Sequence, residues 1–172
     1  LTGAKEILEG VFGFYRLYEA GDYDRAALLD NLGTDFLGLR GSMKPYPCCR
    51  FCHAAIDGAL AIAAESRPAL TADAITEVTV EIPPETYDYV GRPFAEGDNP
   101  VVSAQFSVAY TVAVALLRGK VGLAEFTLDT VRDPSVRALA QRVKAIAVES
   151  GGRYGAVTVR VNASGRALER RV

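Results

Sequence analysis

Ile75 to Ile82 alternates, with Val78, Val80 and Ile82 on one side and Glu77, Thr79 and Glu81 on the other. Successive side chains of a strand point to opposite faces, so this pattern predicts a strand buried on one face and solvated on the other. Pro83-Pro84 ends it, because proline has no N–H to give to a ladder. Such a strand needs partners, and an apolar layer on its buried side. Ala156 to Val161 alternates clearly, and Ala167 to Val172 is a weaker partner across a hairpin turn at Asn162-Ala163-Ser164-Gly165. Val143 to Val148 supplies a further strand.

The remaining periodic segments are helical. Glu6 to Glu19 reads as a helix interrupted by Gly10 and Gly13 and ending near Gly21; Asp22 then caps a short helix through Leu29. Phe36-Leu37 and Ser42 to Tyr46 read as extended. Phe51 to Ser66 turns helical, with Ile56, Leu60 and Ala63-Ala64 on one face. Residues 85 to 99 read as an irregular loop, unusually aromatic for a connection, and Val101 to Leu117 as one helix closed by Gly119. Asp133 caps a helix that starts at Pro134 and runs to about Arg142. The fold class expected is α+β: one domain over residues 1–172, with helices packed on one face of a small, mostly antiparallel sheet.

Composition narrows the function classes. With 19 basic and 21 acidic residues the formal charge is -2, and no basic face supports nucleic-acid binding. The longest uncharged run, Asn99 to Leu117, carries too many polar groups for a lipid span, so no membrane partner is expected. Three crowded cysteines, one necessarily unpaired, do not make a secreted disulfide framework, and a cytoplasmic location is expected. The start at Leu1, without an initiator Met or a signal peptide, suggests a fragment.

Met43 to His53 holds all 3 cysteines, the 1 histidine and the 1 methionine of the chain. Cys49-Arg50-Phe51-Cys52-His53 fits the C-x-x-C-H pattern of haem attachment. Haem usually needs a second axial ligand, and Met43 is separated from His53 by two prolines. Zinc is no better served, since Cys48, Cys49, Cys52 and His53 come from one short stretch without a second ligand pair. No metal and no cofactor are expected. The cysteines read as small buried groups at a loop-to-helix junction, with His53 near the helix start.

Lys44-Pro45-Tyr46-Pro47, followed by Cys48-Cys49-Arg50-Phe51-Cys52-His53-Ala54-Ala55-Ile56-Asp57, resembles a signature of the MmgE/PrpD family. That family includes 2-methylcitrate dehydratases, cis-aconitate decarboxylases and iminodisuccinate epimerases. Asn99-Pro100, then Ala104 to Tyr110, leading to Leu116-Leu117-Arg118-Gly119, looks like its central lid helix. Asp133-Pro134-Ser135-Val136 and the hairpin around Gly165 follow in the same order. The resemblance implies the C-terminal lid domain of a longer enzyme, truncated at both ends, whose helical domain would close the active-site cleft. The partners implied are that missing domain and a small polycarboxylate. Self-association into a homo-oligomer, such as a dimer, is expected of an exposed docking face.

The resemblance also implies roles. Lys44 matches the motif lysine, which would bind a substrate carboxylate or act as acid/base. Tyr110 matches the lid-helix tyrosine, a phenol able to donate to substrate. Cys49, His53 and Gln105 are the further substrate-binding candidates. Cis-aconitate decarboxylases carry histidine where this chain has Cys49, which argues against decarboxylation. The reading is a cofactor-independent dehydratase/lyase or isomerase domain, inactive alone. A non-catalytic ligand-binding or interaction module that keeps the fold is the alternative; a gene ending near this chain's own length would favour it.

Overall fold

A computed structural model describes residues 3–66 and 69–172, and the chain divides into two compact units, Leu1–Met43 and Lys44–Val172. The first unit holds two one-turn helices, α1 (Phe14–Tyr18) and α2 (Arg25–Leu29), and a short 3-10 turn at Leu37–Arg40. Glycines 10 and 13 confine the helix expected from Glu6 to its last turn, and the rest is a run of turns. The cap of α2 is Asp24, not Asp22: its Oδ1 accepts from the N–H groups of Ala26 (2.8 Å) and Ala27 (3.1 Å). The segment expected to be extended at Phe36-Leu37 instead curls into that 3-10 turn.

The second unit carries the sheet. A 3-10 turn at Arg50–Cys52 feeds α3 (His53–Glu65), which is followed by β1 (Ile75–Ile82), α4 (Pro84–Val90), α5 (Pro100–Gln105) and α6 (Val108–Arg118). After a 3-10 turn at Leu123–Phe126 come α7 (Leu128–Val131), α8 (Pro134–Ala140), β2 (Val143–Ala147), β3 (Thr158–Ala163) and β4 (Arg166–Arg171). The strand order is β2-β1-β3-β4. β1 pairs parallel with β2 and antiparallel with β3, and β3 pairs antiparallel with β4. The α+β architecture with a mostly antiparallel sheet is therefore the one expected.

The alternation in β1 works as its sequence implies. Val78, Val80 and Ile82 are fully buried, as are Val159 and Val161 of β3. Each such side chain contributes about 1.5–3 kcal/mol on burial, enough to fix register, because a one-residue slip would turn the whole set to water. The opposite face is charged: Arg160 pairs with Glu81 and Glu169, and Lys144 with Glu77 at 3.1 Å. Helix α3 packs on β3, β4 and α6, and α6 packs on α8 and β2. The approach of α3 is close enough that a Cβ on Gly58 would meet Val159 Cγ2 at 2.9 Å. The face of α3 that enters the core is Ala55, Ile56, Ala59 and Ile62, one step round from the stripe read in the sequence.

Three local readings change. Residues expected as loop after Pro83 begin with a helix, α4, because Pro84 sits at its first position, where a missing N–H costs nothing. The hairpin turn is only Ser164-Gly165, both at positive φ (50° and 74°), between the paired residues Ala163 and Arg166. The helix expected from Val101 to Leu117 is two helices. Asn99 caps the first through Val102 N–H (3.2 Å), and Ser107 caps the second through Tyr110 N–H (3.1 Å). Among the described residues, no helix is long and apolar enough to cross a membrane.

Candidate active site

The break between α5 and α6 sets up the site. A helix leaves its last carbonyls without internal partners. Gln105, the last residue of α5, uses its carbonyl to accept from Cys49 N–H at 2.8 Å. Its side chain works in parallel, since Nε2 donates to the Pro47 carbonyl at 2.9 Å. One residue thus ties down both ends of Pro47-Cys48-Cys49. Farther back, Tyr46 O–H donates to Asp57 Oδ1 of α3 at 2.5 Å. Burial, with the Asp57 bond behind it, pushes the Tyr46 phenol up to about 12, so it remains a donor at neutral pH.

Lys44 stands at the open end of this tethered loop. Its Nζ donates to the Cys48 carbonyl at 3.2 Å, and among the described residues it has no acidic partner. Lys44, Cys49 and Gln105 line one open cavity of about 330 Å³, together with Pro47, Cys48 and Phe106. The structure therefore brings together three of the five residues singled out in the sequence. Cys48 and Cys52 are buried, as expected of a packed junction, whereas Cys49 is only half-buried. A hydrogen bond from the Cys52 thiol draws the Cys48 thiol down, aided by Lys44 and opposed by burial; the same bond, with burial, pushes Cys52 well up.

Tyr110 and His53 lie elsewhere. Tyr110 is fully buried, its ring against Phe94 (5.2 Å) and Phe126 (5.9 Å), and its O–H donates to the Glu125 carbonyl. Burial raises its pKa. It does not line the Lys44 cavity. His53 opens α3 and is 2% exposed, edge-on to Tyr46 with ring centroids 5.2 Å apart. Its Nδ1 meets Arg50 Nη1 at 3.1 Å, and among the described residues its Nε2 closes no hydrogen bond. Among the described residues, no group of three or more His, Cys, Asp or Glu side chains is placed to hold a metal ion.

The sheet, the capped helix pair and the tethered loop all fall within one family match. The model of the MmgE/PrpD C-terminal domain matches residues 46–172. The chain belongs to the MmgE/PrpD family. No curated protein matches it. Within this MmgE/PrpD domain, Lys44 and Pro45 lie just ahead of the matched range. Phe106, which lines the cavity, and Asp57, which accepts from Tyr46, are not singled out by the sequence. Ser107, three residues before Tyr110, is the cap signal that would have shown the helix break and exposed Phe106. Nothing in the sequence marks Asp57 as the partner of Tyr46.

His53 gives the domain a pH signature. Burial lowers its pKa from the ordinary 6.5, reinforced by the Arg50 and Lys44 cations, and this outweighs the opposing effects of the Cys48 carbonyl and Asp57. The folded state therefore resists a proton that the unfolded chain accepts. Stability present above pH 6.5 is lost as pH falls from that value toward the folded pKa, and is flat below it. Melting curves taken from neutral pH downward should show a steeper loss in the wild type than in His53→Gln, which keeps an acceptor for Arg50 but cannot titrate. Parallel curves would remove His53 from the account.

Proposed function

We propose that this domain is the lid of a cofactor-independent dehydratase/lyase or isomerase acting on a small polycarboxylate, with Lys44 as its principal active-site group. The observation that carries this is the Lys44 ammonium, set on a tethered loop at the mouth of an open cavity with one of its three donors used. The remaining donors suit a carboxylate. Loss of water next to a carboxylate builds negative charge on it, and a fixed cation at that point lowers the barrier. Lys44 also has a proton to deliver to a departing hydroxyl. Cys49 and Gln105 line the cavity beside it, and His53 packs edge-on against Tyr46 of the same loop. The complementary base belongs to the partner domain.

The first unit fits this reading. Phe12, Leu39 and Met43 are 85%, 85% and 95% exposed, the pattern of a segment that docks on an apolar surface, either the helical domain or a second copy. Self-association of the chain by itself follows from the same exposure. The test is complementation. The purified chain alone should not turn over 2-methylcitrate or other small tricarboxylates, and adding the helical domain of the same enzyme should restore turnover. Robust turnover by the chain alone would sink the lid assignment, and a restored complex indifferent to every polycarboxylate would sink the substrate class.

A further inference from the structure

A second cavity, of about 220 Å³, shares no lining residue with the Lys44 cavity. It is bounded by the start of α3, the Pro83–Thr86 end of α4 and residues 153–157 ahead of β3. Arg50 and Arg153 both line it, and neither guanidinium has a carboxylate partner among the described residues. Such groups present several donors in a planar fork that matches a carboxylate.

His53 borders the same cavity and adds an independent indication. A guanidinium can only donate, so the contact of Arg50 with Nδ1 at 3.1 Å makes that nitrogen the acceptor. The neutral ring then carries its proton on Nε2, which is buried and closes no hydrogen bond among the described residues, although the Cys48 carbonyl is near enough to act on the ring. An unsatisfied buried donor is costly unless something supplies an acceptor. The apolar lining is aromatic: Phe51 and Tyr154 have ring centroids 6.0 Å apart, and the Arg153 guanidinium lies over the Phe51 ring at 6.0 Å. Asp57 also lines the cavity and would repel a second carboxylate. The volume lies below the roughly 300 Å³ at which drug-sized ligand sites begin.

We propose that this cavity binds a small aromatic monocarboxylate, its carboxylate held by Arg50, Arg153 and the unpartnered His53 Nε2–H, and its ring against Phe51 and Tyr154. One cation pair, one buried donor, a flat apolar lining and one repelling acid select a single negative charge on a planar body. The site is separate in its residues from the Lys44 cavity and does not depend on the reaction assigned there.

Because the chain has 1 histidine, the imidazole nitrogens of isotope-labelled protein report on this cavity without ambiguity. Benzoate is the probe, titrated at neutral pH into the complete chain. The Nε2 resonance should shift saturably in the wild type. Binding should weaken about ten-fold or more in Arg153→Gln and in Arg50→Gln, the loss expected for one charge-assisted hydrogen bond. Arg153 is exposed on the segment before β3, so its replacement keeps the fold. Citrate should bind at least about ten-fold more weakly than benzoate, and Lys44→Met should bind benzoate as the wild type does. An unmoved Nε2 signal, wild-type affinity for benzoate in both arginine variants, or citrate binding as tightly as benzoate would each overturn the proposal. Failure here leaves the Lys44 site untouched, since that site is read by turnover.

Discussion

Replacing Lys44 by Met in the complete enzyme should lower kcat about 10²–10⁴-fold, the range for loss of a positioned acid/base. The same change should barely move the melting temperature. Lys44 is exposed and, among the described residues, its side chain makes one hydrogen bond, to the Cys48 carbonyl, and substitutions of that kind stay within about 0.5 kcal/mol. Lys44→Arg separates the two duties of the ammonium. Arginine keeps the charge but cannot give up a proton near neutral pH, so KM should recover while kcat stays low if proton delivery is the main duty. Unchanged kcat in both variants would remove Lys44 from the chemistry and leave the tethered loop as a purely structural element.

The second large effect falls on stability. Tyr110→Ala should cost about 3–5 kcal/mol, as for other large aromatic truncations in a packed core, because the ring is fully buried against Phe94 and Phe126. That is a large share of the roughly 5–15 kcal/mol holding an ordinary domain together. Tyr110→Phe keeps the ring and removes only the donor to the Glu125 carbonyl, which should cost about 1–3 kcal/mol for the orphaned acceptor. Denaturant unfolding of the three proteins measures both steps. The pair also decides between packing and chemistry: a Phe variant destabilised as stated, with kcat intact in the complete enzyme, makes Tyr110 a structural residue. A Phe variant of wild-type stability and collapsed kcat makes it a catalytic one.

The parts of the fold legible in the sequence are those where one physical requirement dominates. β1 was readable because burial on one face imposes a period of two, and Pro83 allows only one ending. The start of α8 was readable because Asp133 and Pro134 together leave few other conformations, and Asp133 Oδ1 does accept from Ser135 and Val136. The single long helix failed because Val108 to Leu116 is buried all round, and without a polar face its phase and its start are invisible to periodicity. The parallel pairing of β2 with β1 is a property of the long connection between them, which no local pattern encodes. Lys44, Cys49 and Gln105, singled out through the family motif, do line one cavity. The orphaned Nε2 of His53 was not legible, because it depends on which nitrogen Arg50 happens to face.

The clamp on the Lys44 loop is half main chain. Cys49 is held by the carbonyl of residue 105, which any amino acid would present, while only the bond to Pro47 needs the glutamine amide. Position 105 is therefore free to drift in evolution at the cost of one tether. What the arrangement will not tolerate is a change of count: an insertion or deletion between Asn99 and Ser107 would rotate that carbonyl off the loop whatever the side chains were. The constraint on this site is written in chain length, and gaps, more than substitutions, should mark where related sequences abandon the chemistry.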